Sequence, residues 1–118
     1  MQSKLRWIEG VGVLELEGRF DAHEAPEVRR LIEDAADRER PQLLINLANV
    51  NFIDSSGLST LVQGMKRCRG RDGDLSLCNL EQPVQIIFEL TRLDKAFDIY
   101  AIEGEAVAAL LGSVQSTQ

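Results

Sequence analysis

A chain of 118 residues has the size of one ordinary domain, and a chain of that length buries roughly two thirds of the surface its unfolded form exposes. Thirteen Lys and Arg against nineteen Asp and Glu leave a net charge of −6, which speaks against general binding to nucleic acid or to anionic membranes. With 44% hydrophobic residues the sequence is too apolar for a disordered chain, yet no apolar run approaches the roughly 20 residues that cross a bilayer.

Lys4 and Arg6 are followed by no apolar segment of the secretory kind, because Glu9, Glu15 and Glu17 interrupt the pattern; a cytoplasmic protein without a cleaved signal is the expectation. Cys68 and Cys78 are too few for a disulfide scaffold and lack the CxxC spacing of zinc or redox sites, so buried free thiols and no metal are expected.

In chain order, Leu5 to Glu9 and Val13 to Glu17 flank Gly10 and Gly12, and Leu14 and Leu16 share one face while glutamates take the other; the pattern predicts a hairpin. Gly18-Arg19-Phe20-Asp21 closes the second strand and leaves Asp21 in a loop. Ala25, Val28, Ile32 and Ala35 recur at helical spacing, which predicts a helix with Pro26 in its first turn, ending near Arg40 before Pro41. Leu43 to Leu47 is a nearly continuous apolar run, the mark of a central strand covered on both faces, and Ala48 to Ile53 is read as a loop. Leu58, Leu61, Val62, Met65 and Cys68 predict a second helix with Gly70 at its C-terminus. Asp72-Gly73 predicts a turn and Leu75 to Cys78 a strand, so that a βαβ unit with parallel pairing results. Pro83 opens a third helix carrying Ile86, Ile87, Leu90 and Leu93. Phe97 to Ile102 reads as an edge strand and Glu103 to Leu111 as a terminal helix. The expected architecture is a single α/β domain over residues 1–112, with a flexible tail over 113–118. Its mixed sheet has four to five strands and an N-terminal hairpin, with about four helices packed mainly on one face.

The most informative stretch is Asn51-Phe52-Ile53-Asp54-Ser55-Ser56-Gly57-Leu58. Asp54 is a natural N-cap, and Ile53 with Leu58 has the spacing of a hydrophobic staple. Asp54 alone would satisfy the cap, yet two hydroxyls follow, and Gly57 inside the first turn costs about 1 kcal/mol relative to Ala. A glycine there predicts a close approach to the backbone. The helix N-terminus also favours negative charge, so the fold itself would tolerate a phosphoryl group on Ser55.

Phe52-Ile53-Asp54-Ser55-Ser56-Gly57-Leu58, with the helix through Lys66-Arg67, resembles the signature of STAS domains, and specifically of bacterial anti-sigma-factor antagonists. Gly18-Arg19-Phe20-Asp21, Leu44-Ile45-Asn46-Leu47 and Leu75-Ser76-Leu77-Cys78 extend the resemblance over nearly the whole chain. It implies that Ser55 is phosphorylated by a cognate anti-sigma factor that is itself a serine kinase, that the unphosphorylated form binds this partner and frees the sigma factor, and that a phosphatase acting on phospho-Ser55 restores the binding form. It further implies that Asp21 lies close to Ser55 and that Asp21, Asp54, Ser55, Ser56 and Gly57 form the partner surface. The family also supplies a second possibility: a STAS docking subunit of a transport or stress-sensing assembly in which Ser55 is only part of a cap.

Other candidates point to no chemistry. His23 is the single histidine and no Gly-x-Ser-x-Gly elbow is present, so no enzyme and no catalytic residue is expected. Neither GxGxxG nor a Walker pattern occurs, and no cofactor is expected. Lys66, Arg67, Arg69 and Arg71 read as solvent-facing cations that complement a helix C-terminus, and Trp7 as a packing residue.

Overall fold

A computed structural model describes the backbone of residues 1–115 and the side chains of residues 1–112. Strands β1 (Gln2–Ile8) and β2 (Val11–Phe20) pair antiparallel, with Leu5 opposite Leu14 and Ile8 opposite Val11. Glu9 and Gly10 join them at φ of 47° and 91°, the two positive angles of a two-residue hairpin turn whose twist matches the strands.

From β2 the chain enters α1 (Ala25–Ala35), with Pro26 in its first turn as expected. The helix stops short of Arg40, because Asp37 to Arg40 offer nothing to bury. Arg40 at φ 50° turns the chain, and its N–H donates to the carbonyl of Arg71 at 3.2 Å. Strand β3 (Gln42–Ile53) is much longer than the apolar run Leu43 to Leu47, and the expected loop at 48–53 is strand paired parallel with β2 as far as Ile53 opposite Phe20. Glu15 and Glu17 face Asn46 and Asn49, and Gly18 and Arg19 face Val50 and Phe52, so β3 carries one extra residue at each of two bulges. The buried positions Leu47, Val50 and Ile53 therefore recur every three residues, and a period of two is not visible in the sequence.

Helix α2 (Ser55–Arg69) leads to β4 (Asp74–Cys78), and α3 (Gln82–Leu90) to β5 (Ile99–Tyr100). Leu93, expected in the third helix, belongs to a separate 3-10 turn entered through Arg92 at φ 64°. The sheet order is β1-β2-β3-β4-β5, parallel from β2 onward. The terminal helix α4 (Glu103–Gln115) runs past Gly112; of the expected tail, residues 116–118 lie outside the described residues.

Helices α1, α2 and α3 cover one face of the sheet, where Leu14, Leu16, Ile45, Leu47, Leu75 and Leu77 meet Val28, Ile32, Leu61, Met65, Val84 and Phe88. On the other face α4 sets Ala106, Val107 and Leu110 over Val11, Val13, Leu44 and Cys78. Cys68 packs in the first layer and Cys78 in the second, both as buried free thiols, as expected. Trp7 packs only in part: its ring lies over Gly12, where a methyl group would come within 3.0 Å, and Arg38 stacks on it at 4.3 Å, while 44% of the residue stays exposed. Among the described residues no helix is long and apolar enough to cross a membrane.

Candidate functional site

Parallel pairing of β2 with β3 ends both strands at the same edge of the sheet, Phe20 beside Ile53. The residues that follow, Asp21 and Asp54, are thereby brought to neighbouring positions, and the N–H of Asp54 donates to the carbonyl of Phe20 at 3.2 Å. Asp54 caps a helix, and Asp21 shapes the turn that leads into one. Asp54 Oδ1 accepts from the amides of Ser56 (2.9 Å) and Gly57 (3.1 Å), the geometry of an N-cap. Its Oδ2 accepts from the amide of Ala22 at 3.1 Å and so fastens the β2–α1 loop to the start of α2. Asp21 Oδ1 accepts from the amides of His23 (3.1 Å) and Glu24 (3.2 Å), which shapes the turn into α1. Arg19 approaches Asp21 Oδ2 at 3.9 Å and stacks over Phe52 at 3.9 Å, so its cation is engaged on one flank of the site.

The sequence-selected residues therefore lie together, at different depths. Ser55 is the first residue of α2 and exposed; Asp21, Asp54 and Ser56 are half-buried; Gly57 is buried. A methyl group on Gly57 would stand 2.6 Å from the Phe20 carbonyl oxygen and 2.7 Å from Ile53 Cγ1. The close approach that the glycine foretold is thus made by the protein's own β2 end, and Gly57 serves packing rather than display.

Sequence reading missed the groove beside Ser55. Between α1 and α2 lies a hollow of about 430 Å³ walled by Ala22, Ala25, Pro26 and Arg29 on one side. On the other side stand Ser55, Ser56, Ser59, Thr60 and Gln63. The spacing of Ser55, Ser59 and Gln63, four residues apart on one helix face, was the available signal; the facing wall depends on how α1 packs, which spacing does not encode. A larger hollow of about 700 Å³ at the ends of β4 and β5, walled by Leu80, Asp94, Phe97 and Tyr100 among others, holds none of the selected residues.

The basic run at the C-terminal end of α2 is not a free cationic patch. Arg67 pairs with Glu33 (3.7 Å), Arg69 with Asp74 (2.9 Å) and Arg71 with Asp37 (3.3 Å), so three of its four cations tie the helix end to neighbouring segments. Burial pushes the thiols of Cys68 and Cys78 up to about 12, which leaves both un-ionised and unreactive at neutral pH. Among the described residues no three His, Cys, Asp or Glu side chains are grouped to hold a metal.

A mixed sheet with three helices on one face, and an Asp-Ser-Ser-Gly helix start beside the end of the second strand, defines the class. The chain belongs to the STAS domain family, whose sequence model matches residues 2–106. It is 28% identical over 111 residues to an anti-sigma F factor antagonist of Paenibacillus polymyxa, covering 93% of this chain and 95% of that one. It is 35% identical over 88 residues to an anti-sigma-B factor antagonist of Listeria monocytogenes, covering 75% and 77%. The backbone matches the anti-sigma factor antagonist SpoIIAA in its unphosphorylated form with a TM-score of 0.82 at 24% identity, over 94% of this chain and 97% of that one. The phosphorylated form of the Bacillus protein matches with a TM-score of 0.72 at 23% identity, over 92% and 98%.

Proposed function

We propose that this protein is an anti-sigma-factor antagonist of the cytoplasm, working by binding rather than catalysis and switched at Ser55. Unphosphorylated, it docks its cognate anti-sigma factor through the surface around Ser55, Ser56 and the Asp21 loop, and so releases the sigma factor. The partner, acting as a serine kinase, transfers the γ-phosphoryl group of ATP to Ser55 Oγ as the hydroxyl proton leaves with ADP, and the complex parts. A phosphatase hydrolyses the phosphoserine and restores the binding form.

One observation carries this reading: the exposed Ser55 hydroxyl stands at a helix start that is already complete without it. Asp54 satisfies the amides of Ser56 and Gly57 and holds Ala22, so a modified Ser55 changes the surface and leaves the local fold intact. A phosphate adds about two negative charges to a chain of net charge −6, and the helix N-terminus stabilises them. Since the fold absorbs the modification, separation of the partners arises at the interface, through repulsion and the cost of desolvating the new charge.

The test is to incubate the purified protein with ATP and an extract of its source cell, then to weigh wild type, Ser55→Ala and Ser56→Ala intact. One added phosphate on wild type and Ser56→Ala, and none on Ser55→Ala, is expected. Ser55→Asp should keep thermal stability within about 2 °C, consistent with the fractions of a kcal/mol that a charge at a helix N-terminus contributes, while weakening the complex. No added phosphate on any of them, with a partner still retained, would replace the switch by a constitutive docking subunit.

A further inference from the structure

We propose that Arg29 is the residue through which phosphorylation of Ser55 takes effect: the phosphate pairs with its guanidinium across the groove between α1 and α2. The inference rests on Ser55 being the modified residue. Helices α1 and α2 each follow a strand of the same parallel pair, so both start at the same edge of the sheet and run in the same sense. Ala25 and Ser55 are their first residues, which places Arg29 four residues along α1, a rise of about 6 Å at 1.5 Å per residue. Both residues line the groove, and since side chains on a helix lean back toward its N-terminus, an arginine at position 29 is long enough to reach up toward the level of Ser55.

The charges around the groove single out this residue. Arg30, its neighbour, is held by Glu27 at 2.6 Å and Asp34 at 3.2 Å on the opposite flank of α1. Arg29 has no carboxylate partner among the described residues, and the other residues lining the groove are alanine, proline, hydroxyl and amide side chains. Arg29 is therefore the lone charge of a polar groove, on a protein that is otherwise acidic. In the unphosphorylated form it offers its guanidinium, with the Ser55 and Ser59 hydroxyls, to an acidic side chain of the docking partner. A phosphoserine at 55 brings three acceptor oxygens to the same fork, which planar bidentate pairing favours strongly. The phosphate sets about two negative charges against the one guanidinium of the groove, the groove is filled, and an acidic partner group loses its counter-ion at the moment it meets repulsion.

The experiment uses full-length protein with phosphoserine incorporated directly at position 55, so that it needs neither kinase nor partner. The second ionisation of the phosphate is followed by 31P NMR in the parent, Arg29→Gln and Arg29→Lys backgrounds. The parent is expected to ionise about half a unit lower than Arg29→Gln, with Arg29→Lys between them, and 0.5 M salt should erase most of the difference. Identical titrations in the parent and Arg29→Gln proteins, with circular dichroism showing both folded, would overturn the proposal. The outcome is separable from the phosphoswitch itself, whose failure would appear as a phosphorylated protein that still holds its partner whatever the titrations show.

Discussion

Asp54 rather than Ser55 should carry the stability of the site, and replacing it with Ala tests this directly. The substitution removes two accepted bonds at the helix start, from Ser56 and Gly57, and one from the amide of Ala22 in the adjoining loop. Loss of an N-cap costs about 1 kcal/mol. The Ala22 bond lies at the surface, where water replaces part of it, and contributes about another 1 kcal/mol. A chain of 118 residues unfolds with an entropy of about 0.25 kcal/mol per kelvin, so a total of about 2 kcal/mol lowers Tm by about 8 °C. Thermal unfolding followed by circular dichroism reads this shift. Asp54→Asn separates the two contributions, because its carbonyl oxygen can still cap the helix while its amide nitrogen cannot accept from Ala22; about half the loss is expected. Ser55→Ala should move Tm by no more than about 1 °C, within the range of surface substitutions. A loss under about 2 °C for Asp54→Ala, or a Ser55→Ala loss of the same size, would refute the view that Ser55 sits on a base secured by its neighbour.

Two glycines of the chain should respond to Ala in opposite directions. Gly57→Ala drives a methyl group against the Phe20 carbonyl and Ile53, and should lower stability by about 2 kcal/mol, whereas Gly104→Ala in α4 meets nothing within 4 Å and should raise it by about 0.5 kcal/mol; urea unfolding of both measures the contrast. Glu103 gives an acid-side prediction: burial works against its charge, but hydrogen bonds from Arg6 at 2.6 Å and Asn46 at 3.0 Å hold its carboxyl below the usual range. A depressed carboxyl stabilises fully above its unfolded value and loses that contribution as the pH falls, so Glu103→Gln should cost about 1 kcal/mol, or about 4 °C, at pH 7 and progressively less as melts are taken below the ordinary carboxylate range. Cys68 and Cys78 should both escape iodoacetamide at pH 8 in the native protein and both react in urea, as mass spectrometry would show; rapid labelling of either in the native state contradicts their burial.

Much of this molecule was legible where a single rule governed a segment. Leu14 and Leu16 announced a strand with one face on the core, and Pro26 and Pro83 each marked the first turn of a helix. The second half of β3 was hidden because two bulges shift its buried residues to a spacing of three, and because Asn49 and Asn51 look like loop residues until the pairing with β2 accounts for them. Spacing alone puts Leu93 in the third helix, while the left-handed Arg92 breaks the run. Within the site, the N-cap role of Asp54 followed from its position before the apolar repeat. The role of Gly57 did not, since the atom it makes room for belongs to Phe20, distant in sequence and adjacent only because β2 and β3 run side by side. Arg29 escaped for the same reason: its relation to Ser55 exists only once two parallel strands have launched two parallel helices.

That placement also bears on the proposed switch at Ser55, which on these contacts would act electrostatically rather than mechanically. A switch that moves a segment needs a bistable element, whereas the helix start at Ser55 is held by several short contacts. Gly57 is pressed against the Phe20 carbonyl, Asp54 is bonded both into its own helix and to the preceding loop, and Thr60 Oγ1 donates to the Ser56 carbonyl at 2.9 Å one turn on. Each contact resists displacement of the helix start, so a charged group added to Ser55 finds the backbone already committed. What can change cheaply is the distribution of charge over the exposed hydroxyls and the guanidinium beside them. On the proposed reading, a secured base beneath an exposed serine lets one covalent event add about two negative charges to a small surface while the domain that presents it stays as it was.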